Sequence, residues 1–302
     1  MRRFCCWTAL AVVVALVVVA CTGSKKDNAQ PATTTAAEVT SGTTTTESST
    51  TTTEAPSTTL GGNQGFQPRT PGVLTVGVES FDPPYYQGST PQTVTGGFEY
   101  DLAQAMAVRL RLSRAVFVRS QFYEMARGPD CRCDVLLSHV PITDPRAKLV
   151  DFTQPYLEAN KGVLVRSGTT VRTAEQARAL RWAAVVRDTA SVALLTDKVK
   201  PTGDPQLFLD VAQCFAALAS GQVDAVLYDA PSVLAQAFTD PRVVVAAQLQ
   251  TGQQYATVLR VGSANTTELD GVVSSLRSDG TVTRLAQRWF GIDPTTVPVL
   301  PL

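Results

Sequence analysis

The stretch that decides the fold covers residues 134–156 and reads DVLLSHVPITDPRAKLVDFTQPY. Its apolar run at 135–137 predicts a short buried strand. Ser138 and His139 follow directly, where that strand ends. A lone histidine in such a place is most often a hydrogen-bonded structural residue, although it can make binding depend on pH near about 6.5. We therefore expect Ser138 and His139 to lie at the end of a buried strand.

Strands and helices alternate on both sides of this stretch. The predicted strands are residues 73–78, 116–118, 135–137, 162–165, 182–186, 223–227, 243–246 and 256–259. The predicted helices are residues 98–110, 211–219, 269–276 and 282–290. This alternation is typical of α/β architecture, and it predicts mostly parallel sheets.

Composition excludes several classes of function. The 302 residues include 26 Lys and Arg, 26 Asp and Glu, and one His. A net charge of zero gives no electrostatic footprint for phosphate backbones, so we expect no nucleic-acid partner. One histidine is too few for a His-rich metal site and is not sufficient for catalysis. We therefore expect no metal site, no cofactor and no enzymatic activity.

The first 20 residues have the layout of a signal peptide. Arg2 and Arg3 precede an apolar run at 9–20 that is too short to span a bilayer comfortably. The run ends in Val-Val-Ala-Cys, which resembles the lipobox of bacterial lipoproteins. That resemblance implies cleavage after Ala20, a lipid at Cys21 and an extracytoplasmic, membrane-anchored protein. An uncleaved signal anchor, or an ordinary signal peptide with a chance cysteine, stays open.

Residues 21–70 are predicted to be a disordered tether. Between 33 and 59 nearly every residue is Thr, Ser, Ala, Glu or Gly. Such a segment cannot bury enough apolar surface to offset chain entropy. A flexible coil of about 45 residues has an end-to-end distance of roughly 35 to 40 Å. The tether would therefore let a globular head move over the membrane surface.

Several motifs after the tether resemble one family in the same order. Residues 74–102 contain LTVGVESFDPPYYQG and GGFEYDL, which resemble the opening of the family-3 extracellular solute-binding proteins. Residues 134–156 match that family's most specific stretch. The match continues through residues 188–191, 221–229, 278–281 and 288–290. Proteins of this family capture polar amino acids for ABC importers.

The resemblance implies a type II periplasmic-binding-protein fold, in which two α/β lobes are joined by a hinge of two crossovers. The first lobe would comprise residues 71–158 and 253–302, and the second lobe residues 159–252. Ligand would bind in the cleft between the lobes and favour their closure. Ser138 stands at a motif position of the family, which makes Ser138 and the neighbouring His139 candidates for binding the ligand in that cleft. The implied protein is a monomer whose partners are a small-molecule ligand and an ABC transporter permease.

The resemblance also implies roles for three residues in binding an amino acid backbone. Arg146 would pair with the α-carboxylate, for which a planar guanidinium is suited. Asp229 would bind the α-ammonium, and Thr189 would meet the carboxylate at a helix N-terminus. A surface salt bridge at Arg146, and helix capping by Asp229, Thr189 or Asp188, are the structural alternatives.

Recognition of the ligand's side chain is expected from the first lobe. Glu79 and Asp82 would favour a cationic or amide-bearing ligand such as Gln, Arg or Lys, because an acidic ligand would meet like charge. Phe81, Tyr85 and Phe122 are candidates for an apolar wall of the site. For Phe122 a role in the core is an equal alternative.

The sequence departs from the family pattern at the site itself. Pro141 replaces a hydroxyl residue, His139 replaces a small residue, and Asp188 adds a negative charge. These changes remove one or two expected hydrogen bonds to the ligand. A ligand other than a standard α-amino acid therefore stays open, as do a sensing role and a dehydratase-like activity that would use Glu79 as an acid.

Three cysteines remain beyond the signal and the lipobox. Cys131 and Cys133 would close a very small ring, and a bond from either to Cys214 would link the two lobes and oppose closure. We therefore predict no disulfide.

Overall fold

The computed structural model describes residues 65–128 and 131–302. The predicted signal peptide, the lipidation at Cys21 and the tether up to residue 64 lie outside the described residues. The last predicted tether residues do contact the globular part. Phe66 packs against an apolar core, and the Arg69 N–H donates to Asp134 Oδ1 at 2.7 Å. Phe66 and Arg69, which the sequence assigned to the tether, therefore belong to the globular part.

The strands of the described residues form two five-stranded sheets. The first sheet has the order β2 (Arg114–Arg119), β1 (Val73–Val78), β3 (Val135–Leu136), β10 (Gln254–Arg260) and β4 (Val150–Glu158). The second sheet has the order β7 (Gln206–Phe208), β6 (Trp182–Val185), β8 (Ala225–Asp229), β5 (Lys161–Arg166) and β9 (Val243–Leu249).

Helices cover both sheets. They are α1 (Phe98–Arg109), α2 (Phe122–Arg127), α3 (Asp144–Ala147), α4 (Ala174–Arg178), α5 (Thr189–Leu194), α6 (Val211–Ala219), α7 (Ala230–Thr239), α8 (Thr266–Ser278) and α9 (Thr281–Phe290). A π-helical turn at Leu195–Val199 follows α5, and a 3₁₀ turn at Pro294–Thr296 follows α9. Helices α1, α2, α3, α8 and α9 group with the first sheet and its cores, and α4 to α7 with the second, while α7 also contacts α9. We call these two assemblies the first and second lobes.

Each lobe has its own apolar core, as the predicted α/β fold requires. In the first lobe Leu102 and Met106 of α1 are fully buried against Leu74 and Val76 of β1. In the second lobe Trp182 is fully buried, and its indole N–H donates to the Ala177 carbonyl at 2.8 Å. The predicted helix at residues 98–110 is confirmed, and its buried side chains include Leu102 and Met106.

The prediction of mostly parallel sheets is wrong for the strand pairings. Strand β1 pairs in parallel with β2 and β3, whereas β10 is antiparallel to both β3 and β4. In the second sheet β5 is likewise antiparallel to β8 and β9. The cause is the hinge, because β5 and β10 are each the first strand after the chain changes lobes. Both strands start at the hinge and run opposite to their neighbours.

In the described part of the chain, three backbone segments link the lobes. Residues 159–160 and 250–253 are the two crossovers, and Asn160 connects them, because its Oδ1 accepts the Thr251 and Gly252 N–H groups at 2.9 and 3.1 Å. The third link is the C-terminal end. The Gln248 N–H donates to the Pro298 carbonyl, and the Leu300 N–H donates to the Gln248 carbonyl, both at 2.8 Å. The end of the predicted first-lobe segment 253–302 therefore pairs with the second lobe.

The prediction of no disulfide is wrong. Cys131 and Cys133 are bonded to each other, with their Cα atoms 5.4 Å apart. Residues two apart in an extended segment direct their side chains to the same side, and this Cα separation lies in the usual range for a disulfide. Cys214 is a buried free thiol in α6, and burial raises its pKa to about 12.

Candidate functional site

A cleft of about 770 Å³ lies between the two lobes. The first lobe contributes Asp82, Tyr85 and His139 to its walls, and the second lobe contributes Tyr228 and Asp229. Further aromatic side chains line it, namely Phe215, Phe238 and Trp289. The cleft therefore brings together three of the predicted site residues, Asp82, His139 and Asp229. Its walls combine carboxylates with aromatic rings.

Glu79 and Ser138 meet near the ends of β1 and β3, and Arg146 packs on neighbouring Phe122, but none of these three predicted site residues lines the cleft. Ser138 Oγ accepts the Glu79 N–H at 3.1 Å, and Glu79 Oε1 accepts the Phe122 N–H at 2.6 Å. The Arg146 guanidinium lies 5.2 Å from the centre of the Phe122 ring. Its Nη1 donates to the Pro141 carbonyl at 3.1 Å, so the position that lost a hydroxyl group still contacts Arg146. Within the described part of the chain, Arg146 forms no ion pair.

The three residues of the predicted apolar wall, Phe81, Tyr85 and Phe122, lie in different environments. Phe81 is buried in the first-lobe core, where it meets Tyr86 edge to face at 5.4 Å between ring centroids. Tyr85 lines the cleft and stacks on His139, with ring centroids 4.4 Å apart. Phe122 is half-buried and packs against a small cluster that includes Cys131 and Cys133. Tyr85 is thus the member of the predicted wall that borders the cleft.

Asp188 caps the N-terminus of helix α5. Asp188 accepts the Ser191 N–H at 3.2 Å and the Ser191 hydroxyl at 2.6 Å. Thr189 is exposed at the first position of the helix and does not line the cleft. Asp229 precedes α7, but its side chain forms no capping hydrogen bond there. Its carboxylate is directed to other partners.

The Asp229 carboxylate pairs with a buried lysine, Lys161, which was not predicted from the sequence as a site residue. Lys161, the first residue of β5, is 2% exposed. Its Nζ donates to both oxygens of Asp188 at 2.9 Å and to Asp229 Oδ1 at 2.5 Å. Burial lowers the pKa of Lys161, but the charges of Asp229 and Asp188 outweigh burial and raise it. The ammonium is therefore charged, and we call Asp188, Lys161 and Asp229 the triad.

The first lobe also reaches Asp229. The Tyr255 hydroxyl on β10 donates to Asp229 Oδ2 at 2.5 Å. Gln253, in the second crossover, donates from Nε2 to Asp229 Oδ1 at 3.3 Å. Burial, followed by the charge of Asp229, raises the pKa of Tyr255 well above its usual value. Asp229 thus holds together side chains from both lobes and from the hinge.

A second buried carboxylate lies under His139. Glu99 of α1 is fully buried, and its Oε1 accepts the His139 N–H at 2.5 Å and the Tyr156 hydroxyl. His139 Nδ1 lies 3.9 Å from Glu99 Oε2. Burial lowers the pKa of His139, but the neighbouring Glu99 carboxylate outweighs burial, so the net shift is upward. A sequence signal for Glu99 existed, because it stands three and seven positions before the buried Leu102 and Met106 on one helix face.

Residues 74–292 match the family described as bacterial extracellular solute-binding proteins, family 3. The chain belongs to this family. Its members' two-lobed α/β fold is the one found here, and the predicted type II periplasmic-binding-protein fold is confirmed.

Relatives of this solute-binding protein include proteins named for amino acids. It is 28% identical to the L-cystine-binding protein TcyJ of Escherichia coli K12 over 229 residues, which cover 74% of this chain and 85% of that protein. It is 26% identical to the ABC transporter glutamine-binding protein GlnH of Bacillus subtilis over 205 residues, covering 66% of this chain and 74% of that protein.

A solved structure and an enzyme also resemble it. The ancestral cationic amino acid solute-binding protein AncCDT-1 superimposes with a TM-score of 0.63 at 25% identity, covering 72% of this chain and 96% of that one. Membrane-bound lytic murein transglycosylase F of Pseudomonas fluorescens is 25% identical over 232 residues. These cover 73% of this chain but 46% of that enzyme, so the family includes a protein named for catalysis.

The cleft of this solute-binding protein has acidic and basic groups in its walls. Asp82 and Asp229 contribute carboxylates and Arg288 contributes a guanidinium, whereas Arg146 is not among the residues that line the cleft. Among the described residues, no three His, Cys, Asp or Glu side chains are grouped so that they could hold a metal ion. In the same part of the chain, no helix has the length and apolar character needed to cross a membrane.

Proposed function

We propose that this protein is an extracytoplasmic receptor that captures one small polar solute, an amino acid of the glutamine or cationic type, and delivers it to an ABC importer. The observation that carries the proposal is the cleft of about 770 Å³, into which the two lobes direct the carboxylates of Asp82 and Asp229. A ligand that pairs with both lobes stabilises their closed arrangement, which a permease could then recognise.

The charges around the cleft favour a ligand that is not acidic. Asp229 would bind an α-ammonium. Asp82 borders the cleft from the first lobe, and Glu79 lies in the same lobe, where its carboxylate accepts the Phe122 N–H. Arg146, whose charge has no ion-pair partner within residues 65–128 and 131–302, would take the α-carboxylate. An additional carboxylate on the ligand would meet like charge from Asp82 and Glu79.

The remaining parts of the proposal concern location and assembly. Cleavage after Ala20 and lipid at Cys21 would attach the protein to the membrane through the Thr-rich segment. The first lobe would comprise residues 71–158 and 253–302, and the second lobe residues 159–252. The receptor would act as a monomer with the permease as its partner.

A thermal-shift screen of the full chain against the standard amino acids tests this function. Glutamine, arginine or lysine should raise the melting temperature, because binding to the folded state alone stabilises it. Arg146→Gln should abolish the shift, whereas Arg277→Gln, an exposed arginine of α8, should leave it unchanged. No shift with any amino acid would overturn the proposal, and so would an unchanged shift in Arg146→Gln.

A further inference from the structure

We infer that Lys161 determines ligand specificity by setting the charge of the second-lobe side of the cleft, so that this side matches a single positive charge on the ligand. The inference rests on the proposed function, because it concerns the same cleft. It goes further by naming the residue that fixes the ligand's charge class.

The contacts of Lys161 make it a permanent part of the site. Its side chain is 3% exposed, and its ammonium touches the carboxylates of Asp188 and Asp229, whose side chains are 13% and 16% exposed. Solvent ions cannot replace a cation enclosed in this way, and an uncompensated buried charge is strongly unfavourable. Lys161 therefore stays with its two carboxylates whether or not a ligand is bound.

The formal charges of the triad leave one negative charge for the ligand. Asp188 and Asp229 contribute two negative charges and Lys161 contributes one positive charge. Asp188 is committed to capping α5 and does not line the cleft, so the extra carboxylate that the sequence carries there is balanced internally. The remaining charge is presented to the cleft by Asp229.

Lys161 does not line the cleft itself and acts through Asp229, so it is a positioning residue. Lys161 Nζ donates to Asp229 Oδ1, and the Tyr255 hydroxyl donates to Asp229 Oδ2. These two hydrogen bonds fix the plane of the Asp229 carboxylate. Without Lys161 the same wall would carry two negative charges, and it would attract cations more strongly than neutral zwitterions.

A set of four full-length proteins varies this charge one step at a time. The triad carries a formal charge of zero in Asp188→Asn, minus one in the wild type, minus two in Lys161→Gln, and minus one again in the double variant Lys161→Gln/Asp188→Asn. The double variant controls for the loss of the lysine side chain itself. If Lys161→Gln alone does not fold, Asp188→Asn and the double variant still give the comparison.

The first readout needs no ligand. His139 is the single histidine of the chain, so its imidazole gives one NMR signal. The groups that face it are Glu99, Asp82, Tyr85, Tyr255 and, beyond Tyr255, Asp229. Each added negative charge in the triad should raise the measured pKa of His139 by about 0.3 to 1 unit. The double variant should titrate like the wild type.

The second readout is the ratio of the dissociation constants for L-glutamine and L-arginine, which differ in net charge. Lys161→Gln should shift this ratio toward arginine by roughly tenfold, Asp188→Asn should shift it the other way, and the double variant should restore it.

Two results separate the inference from the proposed function. The inference is overturned if the pKa of His139 does not follow the formal charge of the triad. It is also overturned if the ratio of the dissociation constants for L-glutamine and L-arginine stays constant within about twofold across the proteins that bind. Either result leaves the receptor function standing. If the wild type binds no amino acid, the proposed function is overturned, and the His139 titration alone then decides whether Lys161 sets the charge of the cleft.

Discussion

At the residue scale, several side chains of the cleft could be predicted from the sequence, but the buried charged residues that pair with them could not. Asp82, His139 and Asp229 were found because they follow predicted strands or lie in turn-rich motifs. Their buried partners Glu99 and Lys161 were missed, because a charged residue inside an apolar run is normally assigned to the surface. Only the folded chain shows that these charges are enclosed and paired.

The pairing of His139 with Glu99 predicts a pH-dependent contribution to stability. The pKa of His139 is raised above its ordinary value, so protonation favours the folded state. The contribution is fully present below the unfolded pKa of about 6.5 and is lost as the pH rises through the folded pKa. His139→Gln should therefore lose more stability, relative to the wild type, at pH values of about 5.5 than at about 8.5.

Urea unfolding of both proteins across this pH range measures the difference. His139 is the one side chain of its type, so no other imidazole confuses the profile. A difference that is constant with pH, or that grows toward alkaline pH, would show that Glu99 does not favour the protonated imidazole.

At the element scale, the helices α1 and α6 were predicted well and the irregular strand β4 was not. The bounds of α6 are those predicted, and α1 differs by one residue. Strand β4 was missed because Pro155 and several polar residues obscure its pattern, and its pairing with β10 contains bulges. Antiparallel insertion of β5 and β10 depends on where the chain re-enters a sheet, which local sequence does not encode.

The C-terminal segment yields a prediction at this scale. Leu300 is 4% exposed in the core of the second lobe, although the preceding helix α9 belongs to the first lobe. Leu300→Ala should lower the free energy of unfolding by about 2 to 4 kcal/mol, through lost burial and the cavity left behind. Leu302→Ala is the matched control, because Leu302 is 50% exposed, and it should change stability by less than about 0.5 kcal/mol.

Chemical denaturation followed by near-ultraviolet circular dichroism tests this pair. Equal effects of the two substitutions would mean that the C-terminal segment does not stabilise the second lobe.

At the scale of the whole molecule, the two-lobed arrangement followed from the order of the family motifs, whereas the connections between lobes did not. Asn160 joins the crossovers, Tyr255 reaches from the first lobe to Asp229, and residues 298–300 return to the second lobe. Each contact joins residues far apart in sequence, so no local pattern predicts it. Asp229 therefore lies where the two lobes and the hinge meet.

The central claim is that one amino acid binds between the lobes and pairs with each of them. Calorimetric titration of the full chain, using the amino acid that gives the largest thermal shift, tests it most directly. We expect one ligand per chain, and Arg146→Gln in the first lobe and Asp229→Asn in the second should each weaken binding by at least about tenfold, because each removes a charge-assisted hydrogen bond. Full affinity in both variants, or no heat of binding in the wild type, would contradict the account.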